Sequence, residues 1–413
     1  MSRWQSGNHV LPFSDIRVVD FTHVIAGPFC AHQLAVLGAE VIKIEPPAMP
    51  DMVRYDGGDH AAVDEGMASV FLGQASNKRT VAIDLKSEEG RAIVLSIIEK
   101  ADVVIENYRS DALASLGLGY EDAKAVNPRI IYCSLTGFGQ TGPKAQHTAY
   151  DNVIQAFSGL MAATGSAQSG PMKVGPPVLD YGTGAQAALA IAASLFKRER
   201  TGEGEYIDIS MLDAALMLMG ANVTYFHKTG ELLPRSGNSS HVRPGYGCYE
   251  TEDGMLMIGA YTIKQHADLF RTIGHFHRAA ELDFATNPRA VSEKFDSDAN
   301  AIAVGLLMRT ADEWETLLNE AKVPAARVRT LDETLAHPQI ASRSVLQTPQ
   351  DENGEDDGIA LPTAAYRFSN SAPQIGTAPA KHGAHTREVL LEFGLSDARI
   401  AELAALGVIA ADD

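Results

Sequence analysis

The chain of 413 residues is 45 % hydrophobic and carries a formal net charge of −18, the composition of a soluble globular protein with two or three domains. That charge excludes a broad electrostatic grip on nucleic acid or on an anionic membrane surface, so an anionic ligand needs a local basic pocket. Cys30, Cys133 and Cys248 are far apart without metal-ligand spacing, "MSRWQSGNHVLPFSD" lacks the apolar core of a signal peptide, and "AALAIAASLF" is too short to span a bilayer; a reduced, cytoplasmic setting is expected.

In chain order, "IRVVDF", a small-residue stretch ending "HQLAVLG", "EVIKIE", "TVAIDL", "SEEGRAIVLSIIEKA", "DVVIENY" and "RIIYCSL" alternate strand-like and helix-like patterns. This βαβ rhythm predicts an α/β fold: a parallel sheet with helices on both faces and ligands at the carboxyl ends of its strands. From Tyr150 to Gly230 the pattern is helical, interrupted by the strand "EYIDIS". The stretch "GCYETEDGMLMIGAY" then predicts two strands around Asp253-Gly254, followed by helices opened by capping boxes at Thr310 to Glu313 and Thr330 to Glu333, together a separate small domain. "QDENGEDDG" (350 to 358) reads as a solvated loop, and the tail "HTREVLLEFGLSDARIAELAALGVI" as two amphipathic helices, the second capped by Ser396.

Several stretches invite a functional reading. Gly137, Gly139 and Gly142 spell G-x-G-x-x-G after a strand, but "KAQHTAYD" has no apolar helical stripe and no ribose-binding acid follows, so a mobile turn explains the loop better than a dinucleotide site. His23 follows a strand, with Gly27-Pro28 near a helix start where amides can face an anion; a purely structural turn fits equally. The bases of "NKR" (77 to 79) and "NYR" (107 to 109) are either phosphate ligands or solvated charges. Asp180 precedes a long apolar helix in a glycine-rich context, which suits either a cap or a carboxylate nucleophile kept ionised by amides. Asp151 also reads as a cap, and His275 and His277 lack a third metal ligand. No G-x-S-x-G elbow is present.

Taken together, "VVDFTHVIAGPFCAHQLAVLGAEVIKIEPP", "NKRTVAIDL", "ADVVIENYR", "LGLGYEDAKAVNPRIIYCSLTGFGQTGP", "AYDNVIQAFSGLMAATG" and "TGAQAALAIAASLFKRERTGEGEYIDISMLDA" resemble the class III CoA-transferase family. That family takes in formyl-CoA and carnitine CoA-transferases and α-methylacyl-CoA racemases. The resemblance implies a Rossmann-like, CoA-binding large domain from residues 1–215 and 340–413, a smaller α+β domain at 225–330, linkers at 216–224 and 331–339, and a homodimer of interlocked rings. It implies a CoA thioester as substrate, with no tightly bound cofactor and no metal. By family position Asp180 is the nucleophile. His23, Val24, Ala26, Asn77, Lys78, Arg79, Asn107, Tyr108 and Arg109 are the implied CoA contacts. Gly139, Tyr150, Asp151, His241 and Arg243 fall in the implied acyl and acceptor pocket, under cover of the loop Gly237 to Gly247.

Racemases of the family carry a His-Asp pair where this sequence has Tyr150-Asp151. Moving an α-proton needs an acid and a base, whereas a transferase needs a nucleophile and a polar pocket, so the expected activity is CoA transfer from an acyl-CoA to a carboxylic acid, with a dicarboxylate suggested by Arg243. Racemization, a silent CoA-binding protein and a nucleotide-dependent oxidoreductase are the alternatives.

Overall fold

The computed structural model describes residues 11–58, 60–349 and 358–411; apart from Gly358, the acidic stretch read as a loop lies outside the described residues. The chain divides into two units, Met1–Ser158 with Val174–Thr224 and Ala341–Asp413, and Gly159–Lys173 with Tyr225–Ile340.

In the first unit, β1 (Arg17–Asp20), β2 (Glu40–Glu45), β3 (Lys78–Ile83), β4 (Val103–Glu106), β5 (Ile131–Thr136) and β6 (Glu205–Ser210) run parallel in the order β3-β2-β1-β4-β5-β6, and a short strand, Ile409–Ala410, pairs antiparallel beyond β3. The predicted α/β class and parallel sheet are therefore present. Strand order reverses between β1 and β4, which leaves a crevice at their carboxyl ends. The strands are apolar on both faces, as a sheet covered on both sides requires. Val19, Ile42, Val81 and Val104 pack with Ile93 and Ile97 of helix Glu88–Ile98 and with Val389 and Leu403 near the C-terminus. Their neighbours Val18, Val41, Val103 and Ile105 face the other way, into a core completed by Cys30, Leu34, Ala187 and Ile191.

That second layer consists mainly of α1 (Ala26–Ala35) and a later 24-residue helix, Val178–Thr201, which Gly202 stops in a left-handed conformation with φ 76°. The two helices touch at Gly184, where an added Cβ would stand 2.4 Å from the Ala26 carbonyl oxygen and 3.0 Å from Phe29. Only glycine permits this approach.

The second unit contains an antiparallel sheet of Tyr246–Glu250, Met255–Gly259 and Ala325–Arg327, with Met255–Gly259 central. Its core gathers Leu256, Ile258, Phe270, Trp314 and Leu318. The capping boxes at Thr310 and Thr330 form as read, Ser396 of the first unit caps Asp397–Ala405, and a further box joins Thr262 to Gln265. Residues 216–224 are helical at both ends, in Met211–Leu218 and Gly220–Thr229, and 331–339 include the helix Leu331–Leu335. No helix among the described residues is long and apolar enough to cross a membrane.

Gly184→Val is expected to lower stability by about 2–3 kcal/mol through overpacking between the two helices. Gly182→Ala, whose Cβ would meet only Leu218 at an ordinary 3.4 Å, should be neutral or gain up to about 1 kcal/mol from helix propensity. Urea midpoints of the two variants check the contrast; equal midpoints would remove the close-approach argument.

Candidate active site

The loops leaving β1 and β4 are tied to each other. The His23 N–H donates to Asn107 Oδ1 at 3.0 Å, and Asn107 Nδ2 donates to the His23 carbonyl at 2.7 Å. Val24 follows with φ 69°, a left-handed conformation that a β-branched residue keeps only when its surroundings enforce it. Here the Val24 N–H donates to Asp51 Oδ1 at 3.0 Å and its carbonyl accepts from Gln74 Nε2.

Asp51 belongs to a buried set of ion pairs: Lys43 to Asp51 at 3.3 Å, Arg54 to Glu45 at 2.7 Å and Lys78 to Asp20 at 3.0 Å, no side chain among them more than 3 % exposed. Burial by itself raises a carboxyl pKa, but Arg54 and Lys43 outweigh it and hold Glu45 at about 2. Asp20 is likewise held below the usual range, burial being overcome by Lys78, Lys43 and hydrogen bonds from Thr22. His23 moves down, chiefly through burial and against the pull of Asp51, so its ring is neutral near pH 7. It packs edge-on against Tyr108 with ring centroids 5.4 Å apart.

Two helix starts supply the carboxylates. The first, α2 (Asp151–Ser158), opens on Asp151; the second, α3 (Val178–Thr201), begins after Pro177 without a side-chain cap of its own. Asp151 provides the cap from outside, its Oδ2 accepting from the N–H groups of Leu179 at 2.7 Å and Asp180 at 3.2 Å. Gln155, one turn along α2, donates to Asp151 Oδ1 and accepts the Val174 N–H at 2.8 Å. Asp151 thus caps the neighbouring helix.

Asp180, 7 % exposed, faces a hollow of about 80 Å³ lined also by His23, Val24, Ala26, Asn107, Gly137, Tyr150 and Thr183. Burial pushes its carboxyl up to about 7, and the charge of Asp151 adds to the rise. The result is a carboxylate that ionises near neutrality beside neutral imidazole and amide groups.

The sequence-named residues divide by place. His23, Val24, Ala26, Asn107, Tyr150 and Asp180 share the hollow, with Tyr108 and Asp151 directly behind it. Arg109 is exposed and lines an adjoining hollow of about 230 Å³ with Glu106 and Tyr206. Gly139, with φ 86°, turns the chain after β5 and donates to Thr136 Oγ1 at 2.9 Å; the glycine loop opens no helix, and Asp151 starts the next one.

Asn77, Lys78 and Arg79 are elsewhere. They stand at the amino end of β3, opposite the end of the sheet that carries the hollow. Lys78 Nζ is buried against Asp20 and the Pro28 carbonyl at 2.8 Å, Arg79 pairs with Glu388 at 3.0 Å and Glu392 at 2.8 Å, and Asn77 Oδ1 accepts from Gly376 and Thr377. His241 and Arg243 lie in the second unit. Arg243 sits 4.0 Å over the Tyr261 ring and donates to its carbonyl at 3.1 Å, and the His241 ring meets the Pro234 carbonyl at 3.0 Å.

Asp51, Gln74, Gln155 and Thr183 escaped the sequence reading. Gln155 had a usable signal, four residues after Asp151 on one helix face; Asp51 and Gln74 had none, since only the folded chain brings them to Val24.

The family model described as CoA-transferase family III matches residues 13–386. The chain belongs to CoA-transferase family III. The succinate–glutarate CoA-transferase of Agrobacterium fabrum is 34 % identical over 395 residues, 94 % of this chain and 96 % of that protein. The human succinyl-CoA:glutarate CoA-transferase is 30 % identical over 97 % of this chain and 91 % of its own length. A crystal structure of a CaiB/BaiF family protein from Brucella suis superposes with a TM-score of 0.81 and 30 % identity, covering 93 % of this chain and all of that one. The enzyme class expected from the resemblance, a CoA-transferase, holds.

The raised Asp180 carboxyl has a consequence for stability. Because the folded pKa of about 7 exceeds the ordinary 3.8, the stabilising contribution of the protonated group is complete below the lower value and lost as pH rises through the higher. Asp180→Asn, which cannot ionise, should therefore exceed wild type by on the order of 3–4 kcal/mol near pH 8 and match it near pH 4. Denaturant titrations at the two pH values check this, and a pH-independent difference would count against it.

Proposed function

We propose that this CoA-transferase moves CoA from an acyl-CoA donor to a carboxylic acid, preferentially a dicarboxylate, through an aspartyl-CoA thioester on Asp180. The observation that carries the reading is the hollow at the switch point, where a buried carboxylate ionising near pH 7 is held at a helix start by the Asp151 cap.

Asp180 attacks the thioester carbonyl carbon; the C–S bond breaks, leaving a mixed anhydride and CoA thiolate. The thiolate attacks the Asp180 carbonyl carbon, the donor acid leaves as its carboxylate, and CoA is now a thioester of Asp180. An acceptor carboxylate attacks that thioester, and the thiolate it expels attacks the acceptor's acyl carbon, releasing new acyl-CoA and free Asp180. No net hydrolysis occurs, so water must be kept from each intermediate; a hollow of about 80 Å³ leaves little room for it.

His23, Val24, Ala26, Asn107 and Tyr108 would guide the pantetheine arm into the hollow, and the exposed Arg109 would meet the phosphates. Lys78 would act at one remove by fixing Asp20, and Asn77 and Arg79 would serve the fold at the far end of the sheet. The dicarboxylate preference draws on the activities for which the two relatives are named and on Arg243, a cation suited to a second carboxylate. Exposed apolar side chains on α3 and the helix Met211–Leu218, including Leu189, Phe196, Met217 and Leu218, support the homodimer implied by the family. Three free cysteines, two of them buried, fit a cytoplasmic setting.

Intact-protein mass spectrometry after rapid quenching, with a panel of acyl-CoA donors led by succinyl-CoA, should find a CoA-sized adduct on wild type and none on Asp180→Ala. Absence of an adduct with every donor, together with α-proton exchange into deuterated water, would favour racemization instead. Arg243→Ala should raise the acceptor KM selectively, by about tenfold for a lost charge-assisted hydrogen bond; an unchanged KM would remove the dicarboxylate argument.

A further inference from the structure

We propose that the Thr183 hydroxyl is a catalytic hydrogen-bond donor to the carbonyl oxygen of the acyl group formed on Asp180. The inference rests on the reading that Asp180 carries CoA. Thr183 stands three residues after Asp180 on α3, hence on the same face, and a helical side chain leans back toward the preceding turn. It is 1 % exposed and lines the hollow that Asp180 faces, yet its Oγ1 has no hydrogen-bond partner.

Ser76 Oγ is also buried without a partner, but among the described residues Thr183 is the one such hydroxyl that lines the hollow, and other threonines show the alternative. Thr164, Thr201, Thr229, Thr272, Thr316 and Thr334 each donate to the carbonyl four residues back, the ordinary outlet for a helical threonine. These six are less buried than Thr183 and so have the lesser need of an internal partner. Thr183 leaves the Leu179 carbonyl without that bond, although burying an unpaired hydroxyl destabilises the fold. A group kept at such a cost beside a reacting carboxylate suits a ligand atom that is present only during turnover.

The reaction supplies that atom. When thiolate or an acceptor carboxylate attacks the Asp180 acyl carbon, the C=O electron pair moves onto oxygen; when the tetrahedral species collapses, the pair returns and the leaving group departs. A hydroxyl already in place stabilises the developing charge without reorganisation. Thr183 donates its hydrogen bond and retains its proton throughout. The packing of Gly184 on the Ala26 carbonyl fixes the wall on which Thr183 sits, and strained Val24 lines the same hollow.

The test compares Thr183→Val, which keeps the shape and removes the hydroxyl, with Thr183→Ser, which keeps the hydroxyl. The donor is whichever CoA thioester charges wild type, beginning with succinyl-CoA. Adduct formation by quenched mass spectrometry, kcat and KM for transfer, and the thermal midpoint are read together. Thr183→Val should slow adduct turnover and kcat by about 100-fold, as loss of one oxyanion donor does, with donor KM within about twofold. Its thermal midpoint should equal or exceed that of wild type, because a methyl replaces an unpaired buried hydroxyl. Thr183→Ser should keep most of the activity. Normal turnover by Thr183→Val while wild type forms the adduct would overturn the proposal and leave the transferase reading intact. A fall in kcat accompanied by a lower midpoint and not restored by serine would also overturn it, assigning Thr183 a packing role. Failure of wild type to form an adduct with any donor would overturn both.

Discussion

Three carboxylates and three cations, Asp20, Glu45 and Asp51 with Lys43, Arg54 and Lys78, are buried in β1, in β2 and the segment after it, and, for Lys78, at the start of β3, and the placement of the hollow depends on how they pair. Each charge withdrawn from water carries a penalty of several kcal/mol that a close opposite charge only about offsets. What the set contributes is direction. Asp51 turns Oδ2 to Lys43 and therefore has Oδ1 for the Val24 N–H, and Lys43 also donates to the Thr22 carbonyl. The turn between β1 and α1 is thus held on both sides of His23, whose backbone then meets Asn107 across the switch point. The local basic pocket that a chain of net charge −18 needs is not provided by these cations, which are fully paired inside; Arg109 is the exposed base beside the site.

The helix starts apply the same economy to two identical side chains. Asp151 is surrounded by donors, two amides and the Gln155 amide, and so serves as structure. Asp180, buried without a donor and next to the Asp151 carboxylate, is pushed toward protonation. Environment divides the roles: burial raises the Asp180 pKa, and Asp151 has taken the α3 amide of Asp180 itself. A carboxylate that used those amides for its own cap would be more acidic and a weaker nucleophile.

The βαβ alternation was enough to read the sheet and the helices on its faces, because fully buried parallel strands leave long apolar runs. The same pattern places Asn77, Lys78 and Arg79: they precede "TVAIDL", and residues before a parallel strand stand at its amino end. The folded chain has these side chains engaged with Asp20, Glu388, Glu392 and the segment around Gly376. The helix that begins around Asp180 was legible from its apolar run, whereas the source of its cap was not, since Asp151 and Asp180 are 29 residues apart and local pattern carries no information on such a pairing. Thr183 was invisible for another reason. Its significance is the absence of a bond, and an absence has no sequence signature.

Around one small hollow, then, three groups are held in states that cost stability: Val24 in the left-handed region, Asp180 with its ionisation suppressed, and Thr183 with an unpaired hydroxyl. Folding alone would favour relaxing each of them, and the means to resist relaxation are present next to each. Asp51 holds the N–H of Val24 and Gln74 its carbonyl; Asp151 fixes the start of α3; Gly184 locks that helix to α1. Local conflict with global support is the arrangement expected of a site prepared for a ligand that brings the missing partners with it. In the proposed reaction an acyl-CoA would supply them in order: an electrophilic carbon for the Asp180 carboxylate and, once the acyl group has moved, a carbonyl oxygen for Thr183. On the proposed mechanism the free enzyme is the strained state, and the charged intermediate is the one that would satisfy the hollow's polar groups.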